Sequence, residues 1–204
     1  MRALSPEAQL ALEGRSFNIR DLIWFTVRRR DNGAEVQKGY WSDLTTETLQ
    51  VIDPKTQTVQ SRQFDGAGDL ISVSPIPLVS NLTVQNVTVQ LSQIGDASHL
   101  IRTYDARQAR VEIFRGLFEP GRLQQIVPAY SRFLGFVNEP ELLTPREGEN
   151  GSITLNLVSH TQELTRSNPA TRSDAYQRLR NASDSFRRHA AVVGTWDINW
   201  GTKN

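Results

Sequence analysis

SNLTVQNVTVQLSQI (80–94), DASHLIRTYDA (96–106), RQARVEIFRGLFEPGR (107–122), YSRFLGFVNEPELLT (130–144) and GSITLNLVS (151–159) follow one another and decide the fold class. Apolar residues alternate with polar ones at Leu82 and Val84, at Val87, Val89 and Leu91, at Val111 and Ile113, and at Ile153, Leu155 and Leu157. A period of two sends successive side chains to opposite faces, the pattern of a half-buried antiparallel sheet. Between Val84 and Val87 the apolar set moves by an odd step, and a bulge at Gln85-Asn86 would bend that strand as small barrels require. The expected fold is mainly β (α+β): antiparallel β-barrel or sandwich domains with a short N-terminal helix, a small plug helix and a C-terminal helix. Residues 80–165 are read as the core domain, 1–79 as an N-terminal helix and hairpin domain, and 166–204 as a C-terminal helix and tail, with one continuous two-domain unit as the alternative.

Upstream, Ser5-Pro6-Glu7 before AQLALEG carries helix-start signals, and Gly14 a stop. Ser5 is placed to accept free backbone N–H groups, and Pro6 suits the first helical position. A helix this short must dock, and Leu4, Leu10 and Leu12 are its expected contacts. FNIRDLIWFTVRRR (17–30) reads as a strand with Leu22, Trp24 and Thr26 on one side and Ile23, Phe25 and Val27 on the other. A strand apolar on both faces is normally covered twice. Asp31-Asn32-Gly33 predicts a type I′ hairpin turn into AEVQKGYW (34–41). Residues 44–63 read as a strand pair turning near Asp53-Pro54-Lys55, followed by the glycine-rich loop QFDGAGDL.

DASHLIRTYDA reads as a short helix capped by Asp96 and plugging one barrel end. TRSDAYQRLRNASDSFRRHAAVVG (171–194) places Ala175, Leu179, Ala182 and Phe186 on one helical face, with Thr171 or Ser173 as cap and Gly194 as stop. Residues 166–189 hold six Arg (166, 172, 178, 180, 187, 188) against two Asp (174, 184), a local charge of +4. The tail TWDINWGTKN brings Trp196 and Trp200 with nothing following to bury them.

Composition excludes several classes. A net charge of +1 makes no case for a globally basic nucleic-acid binder, and no apolar run approaches the length of a membrane-spanning helix. The N-terminus lacks the charged-then-apolar pattern of a secretory signal. With no cysteine, disulfides, thiolate metal sites and cysteine nucleophiles are excluded together. His99, His160 and His189 stand apart, without the spacing that places two on one helix face. Asp65-Gly66-Ala67-Gly68-Asp69 lacks the later bidentate Glu of a calcium loop. Glu139, Glu141, Glu147 and Glu149 crowd one hairpin region and read as a solvated turn beside the alternative of an acid/base pair. Arg28, Arg29 and Arg30 beside a hairpin tip read as solvated or interface residues rather than a nucleic-acid patch. No catalytic, metal or cofactor role is expected of any residue.

The succession of a short helix, DLIWFTV, SNLTVQNVTVQLS, ARVEIFRGLF, YSRFLGFVNEPEL and GSITLNLVSHTQELTR resembles the hub (minor tail protein L-like) proteins of long non-contractile phage tails and gene transfer agents, over residues 5–165. The segment SDAYQRLRNASDSFRRHAAVVGTWDINWG is similar to the closing segment of related tail proteins. The resemblance implies a structural virion protein of the tail tip (baseplate hub), made in the host cytoplasm, forming a ring that links the distal tail ring to the central fibre or spike. A trimer is the implied ring, and a hexameric distal tail protein the alternative. The cysteine-rich iron–sulfur region of lambda-type hubs has no counterpart, since the chain has no cysteine. The expected partners are copies of itself and neighbouring tail proteins, with no membrane span and no recognition of nucleic-acid sequence. Trp41, Trp196, Trp200, Arg187 and Arg188 are the expected interface residues, tryptophan being enriched where interfaces bury energy. Two other classes stay open: a β-sandwich carbohydrate-binding or adhesion module, and a hydrolase using Glu139 or Glu141.

Overall fold

In the strand 18–29, Leu22 and Trp24 belong to one buried cluster, and Ile23, Phe25 and Val27 to another. Two cores therefore share one wall, and the architecture follows from covering that wall on both sides. The structure is a computed structural model that describes residues 4–66, 72–77, 79, 83–92, 97–144, 146, 151–165, 173–190, 192–196 and 201, the side chains of 97–99 apart. Helix α1 (Pro6–Glu13) precedes strands β1 (Asn18–Arg29), β2 (Glu35–Trp41), β3 (Glu47–Ile52), β4 (Val59–Gly66), β5 (Ser72–Val73) and β6 (Asn86–Ser92). Helix α2 (Ala97–Arg102), strands β7 (Tyr104–Phe118), β8 (Gln125–Leu143) and β9 (Ser152–Ser159), and helices α3 (Gln162–Thr165) and α4 (Asp174–Arg180) follow. The fold is mainly β, with strand order β3-β4-β2-β1-β7-β8-β9-β6-β5 and a further β3–β8 pairing that closes six strands into a ring.

The ring has a well-paired half and a thinly sewn half. β1 runs antiparallel to β2 and to β7 over most of its length. By contrast, β2 and β4 share only Tyr40↔Asp65 and Trp41↔Gly66, and β3 meets β8 only at Val51↔Ala129. Gln125 adds to the second seam, its side-chain amide accepting from the Gln50 N–H at 2.9 Å and donating to the Gln50 carbonyl at 2.7 Å. The β2–β4 approach needs glycine at position 39, where a Cβ would stand 2.7 Å from the Gln63 carbonyl oxygen and from the Trp24 ring.

Inside the ring lie Leu22, Trp24, Trp41, Leu49, Val51, Phe64, Phe114, Phe118 and Ala129. On the outer side of the same wall, Ile23, Phe25, Val27, Val111 and Ile113 meet Val87, Val89 and Leu91 of β6 and Ile153, Leu155 and Leu157 of β9. Leu100 of α2 is fully buried in this second core, so the small helix closes the layer outside the ring. Arg30 fastens it, donating to the carbonyls of Ile101 and Tyr104 at 3.2 and 3.0 Å, which satisfies oxygens at a helix end.

Several expectations change. Residues 18–66 supply four walls of the ring, so Met1–Leu164 forms one compact unit and Thr165–Asn204 another, with no division at 79/80. The phase slip at Gln85-Asn86 marks the start of β6 rather than a bulge, Gln85 being held instead by Ser159. Ser5 caps α1 through the Ala8 N–H as expected, but Ala8 is what docks, and Leu10 stays 68% exposed. In the hairpin after β1 only Gly33 has positive φ, at 68°, which is not the type I′ pair; the Gly33 N–H bonds the Arg29 carbonyl instead. Ser173 caps α4, whereas the helix stops at Arg180 because Asn181 is extended, so Ala182 and Phe186 lie beyond it.

Trp41 is the one expected interface residue that the first unit holds, and it is a core residue. Its indole is fully buried against Phe118, with ring centroids 5.6 Å apart, and its Nε1–H donates to the Thr45 carbonyl at 2.6 Å. Trp41→Ala is expected to lower unfolding stability by about 3–5 kcal/mol in urea denaturation followed by far-UV circular dichroism. A loss below about 1 kcal/mol would show that the ring interior is not the packed core described.

Candidate functional site

On five strands the face that carries the ring's apolar core continues, two residues at a time, into polar side chains. From Trp24 the phase leads to Thr26 and Arg28 on β1, and from Trp41 through Gly39 to Gln37 and Glu35 on β2. From Val51 it leads to Asp53, from Phe64 to Arg62 and Gln60 on β4, and from Phe114 to Glu112 and Arg110 on β7. These residues line a cleft of about 920 Å³. One end of the ring interior is thus filled with hydrocarbon, and the other is an open polar mouth, a common place for a ligand in β-barrels.

Arg62 stands at the boundary. Its Nη1 donates to Glu112 Oε2 at 2.7 Å, and its Nη2 to Asp53 Oδ2 at 2.8 Å and to Gln60 Oε1 at 3.0 Å. The guanidinium lies over Trp24 and Phe114, 5.0 and 5.7 Å from the ring centroids. A planar, always-charged cation that stacks on aromatic rings while forking to carboxylates is what this position demands, and lysine could not do both. Glu112 is shared, its Oε1 receiving Arg110 Nη2 at 2.8 Å. Asp53 also holds the turn between β3 and β4, its Oδ1 accepting from the N–H groups of Lys55 and Thr56 at 2.7 and 2.9 Å.

Burial works to raise the Asp53 carboxyl, but the N–H groups of Thr56 and Lys55 together with the Arg62 charge outweigh it and hold the group below its ordinary 3.8. Asp53 is therefore ionised at neutral pH and bound to Arg62. It acts as an anchor, and its lone pairs are already engaged.

A bulge shapes the rim. Thr26 faces Arg110 while Arg28 faces Asp105, so β7 takes five steps where β1 takes two. Gln108 sits in the extra segment at φ 60°, a region L-residues visit rarely. The bulge brings Arg107 and Gln108 to the mouth. Arg28, Lys55 and Arg107 line the mouth without a side-chain bond to any described residue, beside Glu35 and Asp105. The arrangement can bind a polar or charged group by ion pairs and hydrogen bonds.

The residues expected from sequence lie elsewhere. Trp196 is half exposed in the second unit, with His189 stacked 5.3 Å from its ring, and Trp200 lies outside the described residues. Arg188 is exposed and Arg187 partly so. Glu139 and Glu141 lie on β8, at the surface, while Glu147 and Glu149 fall outside the described residues. Of the three consecutive arginines, Arg28 lines the mouth, Arg29 pairs with Asp31 at 3.1 Å, and Arg30 caps α2. Sequence reading missed Arg62, Glu112, Arg110 and Asp53. The usable signal was charge in the phase of Trp24, Phe64 and Phe114, where an aromatic core face turns polar without a turn in the chain.

No family model matches this chain, and no curated protein matches it.

Because the folded Asp53 carboxyl is depressed, its contribution to stability is complete above the unfolded value near 3.8 and is lost as pH falls through the lower folded value. Asp53→Asn is expected to reduce stability at pH 7 and to flatten the fall in stability below pH 3.8, measured by urea unfolding between pH 5 and pH 2. An unchanged acid limb in the variant would remove Asp53 from the account. Arg62→Ala, which removes the ion pairs to both carboxylates, should cost about 3–5 kcal/mol, more than Arg62→Met, which removes the same pairs but keeps a stem over the rings; equal losses would assign the whole effect to the ion pairs and none to packing.

Proposed function

We propose that this chain is a structural subunit of a phage tail tip, a baseplate hub that assembles around an axis with copies of itself and joins the distal tail ring to the central fibre or spike. Its place would be the virion. The observation that carries an assembly role is the second unit: among its described residues none is buried. Leu179 and Phe186 are 83% and 86% exposed and Trp196 is 50% exposed, with Tyr176, Val192 and Val193 also open to solvent. Large apolar side chains on a segment whose described residues form no interior are expected to be covered by another chain, because leaving each in water forgoes roughly 1.5–3 kcal/mol.

The charge of this segment suits the same role. Arg178, Arg180 and Arg188 are exposed beside those apolar groups, and arginine with aromatic residues is the composition enriched at interface centres. The mainly β fold suits such a role. The first unit meanwhile protects its own sheet edge: β5 has two residues and is followed by Pro75 and Pro77, a device that discourages edge pairing.

The test is mass by light scattering of the full chain, alone and with purified tail neighbours. A trimer or hexamer, or a stable complex with those neighbours, is expected, and Leu179→Asp with Phe186→Asp should abolish it while leaving the thermal unfolding of the first unit unchanged. A chain that remains monomeric with every tail neighbour, or assembly indifferent to both substitutions, overturns the proposal.

A further inference from the structure

The thin β3–β8 seam has a consequence on the far side of the β3–β4 turn. Beyond Val51↔Ala129 the two strands part, and a second cleft of about 240 Å³ opens between the turn and β8. Lys55, Arg110, Leu134, Gly135, Phe136 and His160 line it. Lys55 and Arg110 line the polar mouth as well, so the Asp53–Arg62–Glu112 chain of ion pairs runs between two openings.

The two clefts differ in charge. The mouth mixes both signs, whereas the small cleft offers two cations and an imidazole, with no carboxylate among the described residues that line it. The nearest acid in the network, Glu112, is already shared by Arg62 and Arg110. Arg110 is left with donors to spare: of its five N–H groups, Glu112 engages Nη2 alone, and Nε is buried with no acceptor. A buried donor without a partner is costly, and a turn of the Arg110 side chain that brings Nε to an arriving acceptor would remove that cost. Lys55 binds the fold through its backbone N–H, which leaves its ammonium free to turn toward the cleft. His160 is fixed at its backbone by the Leu134 carbonyl at 2.9 Å and at its ring by Phe136, with centroids 5.3 Å apart. Leu134 and Phe136 supply an apolar wall that keeps water from one side of any ion pair formed there.

We propose that this cleft is an oxyanion site, taking a carboxylate or phosphate group on Arg110, Lys55 and His160. The planar guanidinium and the mobile ammonium suit a group with several acceptor oxygens, and charge-assisted bonds of this kind are roughly twice as strong as neutral ones. The site does not depend on the proposed tail-tip role, since its ligand can be a free anion or an acidic group presented by a neighbouring chain.

The test titrates the full chain with inorganic phosphate, and separately with acetate, at constant ionic strength set by chloride, following the Arg110 Nε–H resonance by NMR. Saturable shifts with a Kd on the order of millimolar are expected, together with shifts at the backbone amides of Lys55 and His160. Lys55→Gln combined with His160→Gln touches two exposed side chains and should leave the thermal midpoint unchanged while weakening binding by roughly tenfold or more. Saturation by phosphate alone would identify a phosphate site, and saturation by acetate a carboxylate site. A linear, non-saturating response to both anions overturns the proposal, as does binding that the double variant leaves intact.

Discussion

A single guanidinium holds this fold together where its backbone does not. The ring of β3, β4, β2, β1, β7 and β8 is stitched by long ladders on one side, but the β3–β4 hairpin joins it through two short seams. Arg62 crosses that gap, reaching from β4 to Glu112 on β7 and to Asp53 at the end of β3, over the rings of Trp24 and Phe114. A buried ion pair is weak grounds for stability compared with well-packed hydrocarbon. Its value here is positional, because it ties β4 to β7 and to the end of β3 where the backbone ladders are short.

The wall formed by β1, β7 and β8 is the second constraint. β1 and β7 are buried on both faces and β8 on one, so the ring interior and the outer layer with β6 and β9 cannot be separated without exposing one of them. This makes Met1–Leu164 one unit although its strands come from two distant parts of the chain. Among the described residues of Thr165–Asn204 there is no such wall, and the apolar ones are left in solvent. The contrast between a doubly covered first unit and an uncovered second one underlies the assembly role proposed for the chain.

Much of the strand content was legible from local pattern. Val87, Val89 and Leu91, Ile153, Leu155 and Leu157, and the two-sided run from Leu22 to Val27 all alternate as drawn, since burial of one face leaves a period of two in the residues. The cap at Ser5 and the cap at Ser173 were legible for the same reason: a hydroxyl bonding an N–H three residues on is a local event. The length of the C-terminal helix was not, because apolar residues at helical spacing fix a helix only when a surface exists to bury them. Nor was the fate of Trp41, whose indole reads the same whether it meets its own core or a partner.

What the residues determined alone is the class of fold, the absence of thiol chemistry and the places where strands begin and turn, each set by side chains a few positions apart. Only tertiary structure decided that β3 and β4 close a ring with β8, that Arg62, Glu112 and Asp53 meet, and that Lys55, Arg110 and His160 gather beside the seam. The reason is separation: Arg62 and Glu112 are 50 residues apart, and no local rule pairs a charge on one strand with a charge on another before the sheet between them has chosen its register.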